Sequence, residues 1–373
     1  MSLSAGFVGL PNAGKSTLFN ALTGAGVPAE NYPFCTIEPN TAILFVTDKR
    51  LEDINEVIKK GNNGVGTKKI VQSMIEFRDI AGLVKGASTG AGLGNKFLGN
   101  IAEVDELCFV LRYFNDDSVT SVADNDTGNG SLVNSVNNPV RDLEILKCEI
   151  YLKDLEHIDG FMQKLEKRLK TEKSAELEKK LDILKYIKSQ IETLSSDPVL
   201  SEEDLELVRE FNLLCIKPRI YILNVDEKGM VDDNLKIDFP YEYIKISASF
   251  ENSLNSITSI KEKEELLSLY GMKESLVTNL VHKVYSSLGL ISFFTEGLDE
   301  VRSWTIKKGT KAPKASGVIH TDFEEKFIKL DVVSFENYIS AGGFEKAREK
   351  GLVRSEGKDY VVNDGDIVLV KHG

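Results

Sequence analysis

The fold of this chain is decided by one stretch, Gly9-Leu10-Pro11-Asn12-Ala13-Gly14-Lys15-Ser16. It matches the Walker A pattern, in which a glycine and four variable residues precede Gly-Lys-Ser or Gly-Lys-Thr. The apolar run Gly6 to Leu10 leads into it, and Leu18, Phe19 and Leu22 follow at helical spacing. The pattern predicts a strand, a glycine-rich loop and a helix, which is the context that the motif requires.

A loop of this kind offers phosphate oxygens its consecutive backbone N–H groups and the N-terminus of the following helix. Lys15 is expected to reach the β and γ oxygens of a nucleoside triphosphate, and the Ser16 hydroxyl is expected to bind Mg²⁺. The alternative is a glycine-rich turn without a ligand, since motif matches include false positives. The motif therefore predicts a triphosphate site with Mg²⁺ as cofactor.

Two further segments carry residues that a triphosphate site needs. Asp79-Ile80-Ala81-Gly82 follows the apolar run Ser73 to Phe77. Asp79 is therefore predicted to hold Mg²⁺ through water, and the Gly82 N–H is predicted to approach the γ-phosphate. Thr36 lies where nucleotide switch proteins offer a threonine to the metal and the γ-phosphate. An ordinary turn at Asp79 and an ordinary loop threonine at Thr36 are the alternatives.

Leu83 bears on hydrolysis because it occupies the position at which many GTPases carry a glutamine that orients the attacking water. A leucine side chain cannot orient water. Another group must position the water, or turnover stays slow until a partner assists. Lys15, Gly82 and Leu83 are accordingly the residues assigned to the catalytic step.

Base recognition is predicted for Asn224-Val225-Asp226-Glu227, at the end of the apolar run Ile220 to Leu223. Guanine-specific proteins carry Asn-Lys-x-Asp at this place, and the final aspartate binds guanine N1–H and the 2-amino group. Val225 and Glu227 remove that reason to choose guanine, while Asn224 can still bind adenine N6 and N7. ATP is therefore favoured over GTP, with a relaxed site that accepts both as the alternative.

A second base-side segment is Ser247-Ala248-Ser249, which follows the apolar run Tyr243 to Ile246. Ser247 and Ala248 sit where a base-contacting loop would close the pocket. Taken alone, the segment is an ordinary serine turn.

The bulk composition is that of a folded globular protein. With 373 residues, the chain exceeds the size of one ordinary core, so two or three domains are expected. A net charge of −12 argues against coating nucleic acid by net charge alone, although a local basic face is compatible with it. The four scattered cysteines lack the spacing of zinc or redox motifs. No signal peptide or membrane-spanning window is visible, so a cytoplasmic protein is expected.

Hydrophobic periodicity divides the chain into regions. The early apolar runs predict an α/β fold with a mostly parallel sheet. Apolar residues at helical spacing from Pro139 to Leu194 predict an antiparallel helical hairpin with Ser174 as the second N-cap. The hairpin is either a solvated coiled coil or a partner-binding arm. After Ser287, short strand candidates and the turn Asn363-Asp364-Gly365, a hairpin signal, predict a small C-terminal module.

The predicted domains follow from these regions. They are a nucleotide-binding domain in two parts, 1–138 and 206–287, an inserted helical hairpin at 139–205, and a C-terminal domain at 288–373.

Several segments together resemble the Obg-like ATPases, also called the YchF family, and the likeness spans nearly the whole chain. The segments are Gly9 to Ser16, Asn31 to Asn40, Asp79 to Ala87, Gly90 to Gly99, Asn224 to Glu227, Phe293 to Thr295 and Trp304 to Thr310. The resemblance implies a P-loop GTPase-like domain, an inserted helical hairpin and a C-terminal TGS domain of ubiquitin-like β-grasp form. It also implies hydrolysis of ATP in preference to GTP and association with ribosomes or the translation machinery.

The resemblance also assigns roles to individual residues. Those that would bind phosphates are Asn12, Ala13, Gly14, Lys15, Ser16 and Thr17. Ser16 and Thr36 would bind Mg²⁺, and Asn224 and Val225 would meet the base, Val225 partly through its backbone. Family members usually carry a histidine in the loop after the strand Leu107 to Leu111. No histidine occurs between residues 112 and 138 here, so a mechanism that places one near the γ-phosphate lacks its residue.

The sequence thus predicts a Mg²⁺-dependent ATPase that accepts GTP more weakly and reports its nucleotide state to a ribosome or another RNA–protein partner. RNA contact through the helical and C-terminal domains is one way to do so, and no membrane partner is expected. Two alternatives stay open. They are a non-catalytic nucleotide-dependent adaptor, motivated by Leu83 and the missing histidine, and a conventional GTPase.

Overall fold

The computed structural model describes residues 3–25, 40–67, 69–80, 101–114, 138–193, 197–232, 235 and 237–373. By packing, the chain forms two compact units. The first contains Met1–Ala42 and Glu76–Val277, and the second contains Ile43–Ile75 and Thr278–Gly373. The domain boundaries given above followed sequence order alone and stay a prediction.

The first sheet has six strands in the order β2-β4-β1-β5-β6-β7. Its strands are β1 (Ser4–Val8), β2 (Thr41–Val46), β4 (Ser73–Asp79), β5 (Glu106–Tyr113), β6 (Arg219–Val225) and β7 (Tyr243–Ile246). The pairs β1–β4, β1–β5, β5–β6 and β6–β7 are parallel. Every residue of β1 is buried, because both faces of a parallel sheet are covered. The predicted α/β class with a mostly parallel sheet is confirmed.

The helices cover the sheets and form the hairpin. They are Lys15–Ala25, Arg50–Gly61, Pro139–Leu169, Ala175–Glu192, Glu202–Val208, Glu227–Val231, Ala248–Ser256, Ile260–Leu269, Leu276–Ser287, Ala312–Ile319, Thr321–Glu325, Phe335–Ala341 and Phe344–Glu349. None of the helices in the described ranges is both long enough and apolar enough to cross a membrane.

The helical hairpin begins and turns where side chains cap its helices. The Asn138 side chain accepts a hydrogen bond from the Arg141 N–H, and Ser174 accepts one from the Leu177 N–H. Such caps satisfy backbone N–H groups that have no partner inside the helix. The predicted pair of helices and the Ser174 N-cap are confirmed.

Asp197 links the base of the hairpin to β6. Its carboxylate accepts hydrogen bonds from Lys147 Nζ at 2.6 Å, from the Arg219 guanidinium at 2.5 Å and from the Tyr151 hydroxyl. Burial opposes ionisation, but the positive charges of Arg219 and Lys147 and these hydrogen bonds lower the pKa of Asp197 to about 2. The Arg219 side chain is only 8% exposed, so it depends on Asp197 for its counter-charge.

Replacing Asp197 by Asn is expected to lower the free energy of unfolding by about 3 kcal/mol at neutral pH, because Arg219 stays buried without its partner. In the wild type the folded-state pKa lies below the unfolded one. The contribution is therefore complete above about pH 4 and disappears as the pH falls toward about 2. Denaturant unfolding followed by circular dichroism at neutral and acidic pH measures both effects.

The matched control is Asp182→Asn, since Asp182 is 77% exposed and lies 3.6 Å from Lys185. An exposed pair of this kind contributes less than about 1 kcal/mol. Equal stability of Asp197→Asn and the control at neutral pH would show that Asp197 does not hold the hairpin base.

The second sheet is mixed and has six strands in the order β11-β10-β12-β8-β9-β3. Its strands are β3 (Lys69–Val71), β8 (Leu290–Thr295), β9 (Glu300–Lys307), β10 (Phe327–Ser334), β11 (Arg354–Glu356) and β12 (Asp366–His372). The pairs β8–β9, β10–β12 and β10–β11 are antiparallel, whereas β12–β8 and β3–β9 are parallel. The predicted C-terminal module is therefore rich in β-structure.

Residues Ile43–Ile75 share a core with the C-terminal strands. Leu51 and Ile54, on the helix Arg50–Gly61, are fully buried in a cluster with Phe294 and Tyr338. Sequence patterns did not predict this packing, because they show that a segment is amphipathic but not which partner it packs against.

The prediction of a β-hairpin at Asn363-Asp364-Gly365 was wrong. Gly365 does adopt a positive φ of 86°, but β12 after it pairs with β10 and β8. Before the turn, Val361 forms only an isolated bridge to Lys311. The Asp364 carboxylate accepts a hydrogen bond from the Ser292 N–H at 2.9 Å, which attaches the turn to β8.

Candidate functional site

The Walker A loop joins β1 to the helix Lys15–Ala25 and takes a shape that requires glycine. Asn12 and Gly14 have φ values of 64° and 91°. A Cβ atom at Gly14 would lie 2.0 Å from Nδ2 of Asn224, and one at Gly9 would lie 2.5 Å from the Val110 carbonyl oxygen. The Leu18 N–H donates to the Gly14 carbonyl at 2.9 Å. The helix therefore starts directly at the loop, which is the arrangement that binds phosphate.

Lys15 is the buried cation of the loop, with 6% of the residue exposed. Its Nζ donates a hydrogen bond to the Leu10 carbonyl oxygen at 2.9 Å. Burial lowers the pKa of Lys15 to about 8, and the nearby charge of Asp79 partly opposes that shift. An anion bound beside Nζ would restore the pKa, because it favours the charged form.

Asp79 ends β4 beside Phe7 of β1. Burial raises the pKa of its carboxyl group, while Lys15 and a hydrogen bond with Ser16 oppose that rise. Its Oδ1 is buried and has no hydrogen-bond partner among the described residues. The predicted residues Lys15, Ser16 and Asp79 thus come together at one place.

These oxygens fit a small hard cation. The Ser16 hydroxyl and the Asp79 carboxylate are ligand types that Mg²⁺ prefers, and Mg²⁺ usually takes few protein ligands together with phosphate oxygens and water. Within the described ranges, no group of three or more His, Cys, Asp or Glu side chains could hold a metal ion alone. Ser16 and Asp79 therefore fit the part of a Mg²⁺ ligand set that a protein supplies beside phosphate oxygens and water.

Asn224 connects the phosphate side of the site to the base side. Its Nδ2 donates to the Ala13 carbonyl oxygen at 3.0 Å, and its Oδ1 accepts the Ala248 N–H at 3.1 Å. Only 5% of Asn224 is exposed. The side chain predicted to bind adenine therefore holds the two loops together in this structure, and a contact with the base stays a prediction.

The remaining base-side residues follow β6 and β7. Val225 is 2% exposed, and Glu227 begins the helix Glu227–Val231 and accepts a hydrogen bond from the Tyr270 hydroxyl at 3.3 Å. Ser247 is fully buried and caps the helix Ala248–Ser256. The N-cap at Ser247 was not predicted, and the base-side roles predicted for Val225, Glu227, Ser247 and Ala248 stay predictions.

Thr36, Gly82 and Leu83 lie outside the described residues, as does the loop 115–137. Thr17 is exposed in the first turn of the helix Lys15–Ala25. Two side chains that sequence reasoning missed, Arg112 and Phe114, lie near the loop. The Arg112 guanidinium is 4.7 Å from the Phe114 ring centre, and Phe114 Cε1 is 3.9 Å from the Cβ position of Gly14.

The register between β5 and β6 is the signal that could have identified Arg112 and Phe114. Arg112 pairs with Asn224 across β5 and β6, so both stand at the carboxyl edge of the sheet, where α/β proteins bind ligands.

The fold and the site together define a P-loop nucleotide-binding protein of the GTPase type. Two family models match the chain. Residues 4–140 match the model described as 50S ribosome-binding GTPase. Residues 290–373 match YchF-GTPase_C, described as a protein of unknown function.

Relatives that match over nearly the whole chain show which family it belongs to. The chain is 41% identical to the ribosome-binding ATPase YchF of Bacillus subtilis, covering 99% of this chain and 98% of that protein. It is 37% identical to the Obg-like ATPase 1 of Oryza sativa subsp. japonica, covering 99% and 92%. The solved structure of the Schizosaccharomyces pombe YchF GTPase superposes with a TM-score of 0.82 at 33% identity, covering 99% and 98%. The chain belongs to the YchF family, and the predicted resemblance is confirmed.

Nucleotide affinity is expected to fall as the pH rises through about 8, because Lys15 must carry its proton to bind the phosphates. Below that value Lys15 is already charged, so the affinity stays level until the phosphates begin to take up protons at about pH 6. Calorimetric titration of ATP with Mg²⁺ between neutral and alkaline pH measures the profile, and two buffers of different ionisation enthalpy report the proton taken up.

The control variant is Lys15→Arg, whose side chain stays charged over the whole range. It should bind more weakly but lose the alkaline decline. If the same decline persists in Lys15→Arg, another group causes it.

Proposed function

We propose that this protein is a Mg²⁺-dependent ATPase that works as a nucleotide-controlled switch on ribosomes. The observation that carries the proposal is the meeting of Lys15, Ser16 and Asp79 at a loop of Walker A sequence. The relatives named ribosome-binding ATPase YchF cover this chain end to end, which supports both the activity and the partner. A protein with these partners belongs in the cytoplasm.

The phosphate end of the nucleotide would lie along Asn12 to Thr17. Lys15 lies near Asp79 as a buried cation, and we propose that its Nζ exchanges the hydrogen bond to the Leu10 carbonyl oxygen for contacts with the β and γ oxygens. Ser16, Thr36 and, through water, Asp79 would hold the metal. When bound, Mg²⁺ neutralises charge that develops on the transferred phosphoryl group.

Selection of adenine would follow from what the base-side residues lack. Val225 offers no ammonium group, and Glu227 is one methylene longer than the aspartate that binds guanine. Both ends of the Asn224 amide already form hydrogen bonds, one with Ala13 and one with Ala248. We therefore propose that Asn224 positions the loops. The base would instead face Ser247 and the backbone of Val225.

Two sets of substitutions distinguish the choice of base from the positioning of the loops. Val225→Lys combined with Glu227→Asp is expected to shift the ratio of ATP to GTP affinity toward GTP. Asn224→Ala is expected to weaken both nucleotides together because it frees the two loops, and the loss is at most about 30-fold to 150-fold, the equivalent of two buried hydrogen bonds of about 1 to 1.5 kcal/mol each. Side-by-side titrations measure both affinities.

Asn255→Ala is the matched control for Asn224→Ala, because Asn255 also donates to a backbone carbonyl of the first helix region, that of Ala21. It should alter stability but leave both affinities unchanged. An unchanged ratio in the double variant would show that other residues choose the base, and tighter GTP than ATP binding by the wild type would favour the conventional GTPase.

Leu83 affects the hydrolysis step. Its side chain cannot orient water, so we propose that a backbone group or the ribosomal partner does so while Gly82 contacts the γ-phosphate. Trans-acting groups speed related reactions by about 10³ to 10⁵. The rival is a non-catalytic adaptor that binds ATP without hydrolysing it.

Single-turnover phosphate release with and without ribosomes decides between the two. We expect release above the uncatalysed rate, faster with ribosomes, and abolished in Lys15→Ala. Absence of release in both conditions, from protein that binds ATP, would leave only the adaptor.

The other units would carry the contact with the partner. We propose that the C-terminal unit contains a TGS domain of β-grasp form and that the hairpin Pro139–Glu192 is a partner-binding arm. The hairpin carries exposed ion pairs such as Lys188 with Asp159 at 2.7 Å. A solvated coiled coil without a partner remains the rival for that hairpin.

A further inference from the structure

Residues 40–79, which we call the tied segment, begin and end beside the nucleotide site. The Asp79 N–H donates a hydrogen bond to the Asn40 carbonyl oxygen at 2.9 Å, which ties the two ends together. Asp79 is a proposed Mg²⁺ site residue, and the predicted ligand Thr36 closely precedes Asn40 in the sequence. Between these ends, Ile43–Ile75 belongs to the second unit. The chain thus leaves the nucleotide site, contributes to the core of the second unit and returns at the end of β4.

A buried hydroxyl cluster fixes the start of β4, the strand that ends at Asp79. The Ser73 and Ser303 hydroxyls form a hydrogen bond of 2.8 Å, and Tyr285 bonds the Ser292 hydroxyl at 2.9 Å. All four residues are buried, and a buried polar network of this kind favours one fixed arrangement. The seven residues of β4 then run as one extended strand to Asp79. A rigid element therefore links the cluster to the nucleotide site.

Arg50 makes the second polar link between the tied segment and the C-terminal strands. Its guanidinium donates to Asp48 Oδ2 and to Asp364 Oδ2, each at 2.7 Å, and lies 5.0 Å from the Phe294 ring centre. Asp364 also accepts the Ser292 N–H at 2.9 Å. Because Ser292 belongs to the hydroxyl cluster as well, both polar links meet on β8.

Apolar packing adds to the two polar links. Leu51 and Ile54 are fully buried in one cluster with Phe294 and Tyr338, and β3 pairs with β9. Separating the tied segment from the C-terminal strands would expose this cluster to water, which is unfavourable. The segment and those strands are therefore expected to open and close as one cooperative body.

We propose that the tied segment couples nucleotide binding at Asp79 to the C-terminal strands, and this inference rests on the proposed nucleotide function. Asp79 Oδ1 is buried without a partner among the described residues. It would gain a partner from Mg²⁺ and its water, which would restrain the end of β4. The hydroxyl cluster and Arg50 pass that restraint to β8. By linkage, a partner that binds the C-terminal strands changes nucleotide affinity by the same factor.

Hydrogen–deuterium exchange of the full chain, with and without Mg²⁺ and a non-hydrolysable ATP analogue, tests the coupling. We expect the bound analogue to slow exchange in β8 and β9 at least about fivefold, the lower end of ordinary coupling between sites. The double variant Arg50→Gln with Ser73→Ala removes both polar links. Slowing in β8 and β9 should then fall below about twofold, while slowing in the helix Lys15–Ala25 persists.

The matched control is Arg354→Gln with Ser355→Ala on β11, outside the tied segment. Arg354 likewise pairs with a carboxylate, that of Glu356, and stacks on an aromatic ring, that of Tyr360. This control should keep the slowing of the wild type. Circular dichroism checks that both variants fold. Asp364→Asn, which keeps an acceptor for the Ser292 N–H, replaces the double variant if that variant unfolds.

Unchanged exchange of β8 and β9 in a wild type whose helix Lys15–Ala25 responds to the analogue overturns the inference. So does equal slowing in the double and control variants. No response of Lys15–Ala25 in the wild type would refute the nucleotide function instead.

Exchange of residues 76–79 without nucleotide tests the coupling separately, because coupling is reciprocal. We expect faster exchange there in the double variant than in the control, and this result would leave the coupling standing even if the nucleotide function fails. Equal exchange in the two variants would overturn it.

Discussion

The nucleotide site depends on the close approach of Asn224 to Gly14. The strands β1, β5 and β6 are parallel neighbours, so their carboxyl ends meet at one edge of the sheet. Asn224 reaches from that edge to the Ala13 carbonyl and to the Ala248 N–H. Its amide fits only because Gly14 has no side chain. One side chain therefore sets the distance between the phosphate loop and the base-side loop.

Electrostatics prepares the same loop for a polyanion. Lys15 and Asp79 each lose solvation on burial, and each partly offsets the penalty of the other. Asp79 keeps one buried oxygen without a partner among the described residues, which is costly unless a ligand uses it. The arrangement suits a ligand that brings both negative phosphates and a cation. Preorganised charges of this kind are the main means by which phosphoryl-transfer proteins act.

Local sequence patterns predicted those parts of the fold that local forces determine. The run Tyr243–Ile246 became a strand with the same bounds, and Ser174 caps its helix. Long-range pairing was not predictable in this way. The short β3 joins β9 across more than two hundred positions, and Asn224 bonds Ala13 across 211 positions. Hydrophobic periodicity shows that a segment forms a strand or a helix, but it does not show that β3 pairs with β9 or that Asn224 contacts Ala13. The motif residues Thr36, Gly82 and Leu83 lie outside the described ranges, so their predicted roles await experiment.

We propose that the backbone N–H groups and Lys15 at the start of the first helix hold a triphosphate with its metal. Calorimetric titration of the pure folded chain with ATP, in the presence and absence of Mg²⁺, tests it most directly. We expect one nucleotide per chain, tighter binding with Mg²⁺, and loss of binding in Gly14→Ala. A folded protein that gives no heat with either ATP or GTP in magnesium buffer would contradict it.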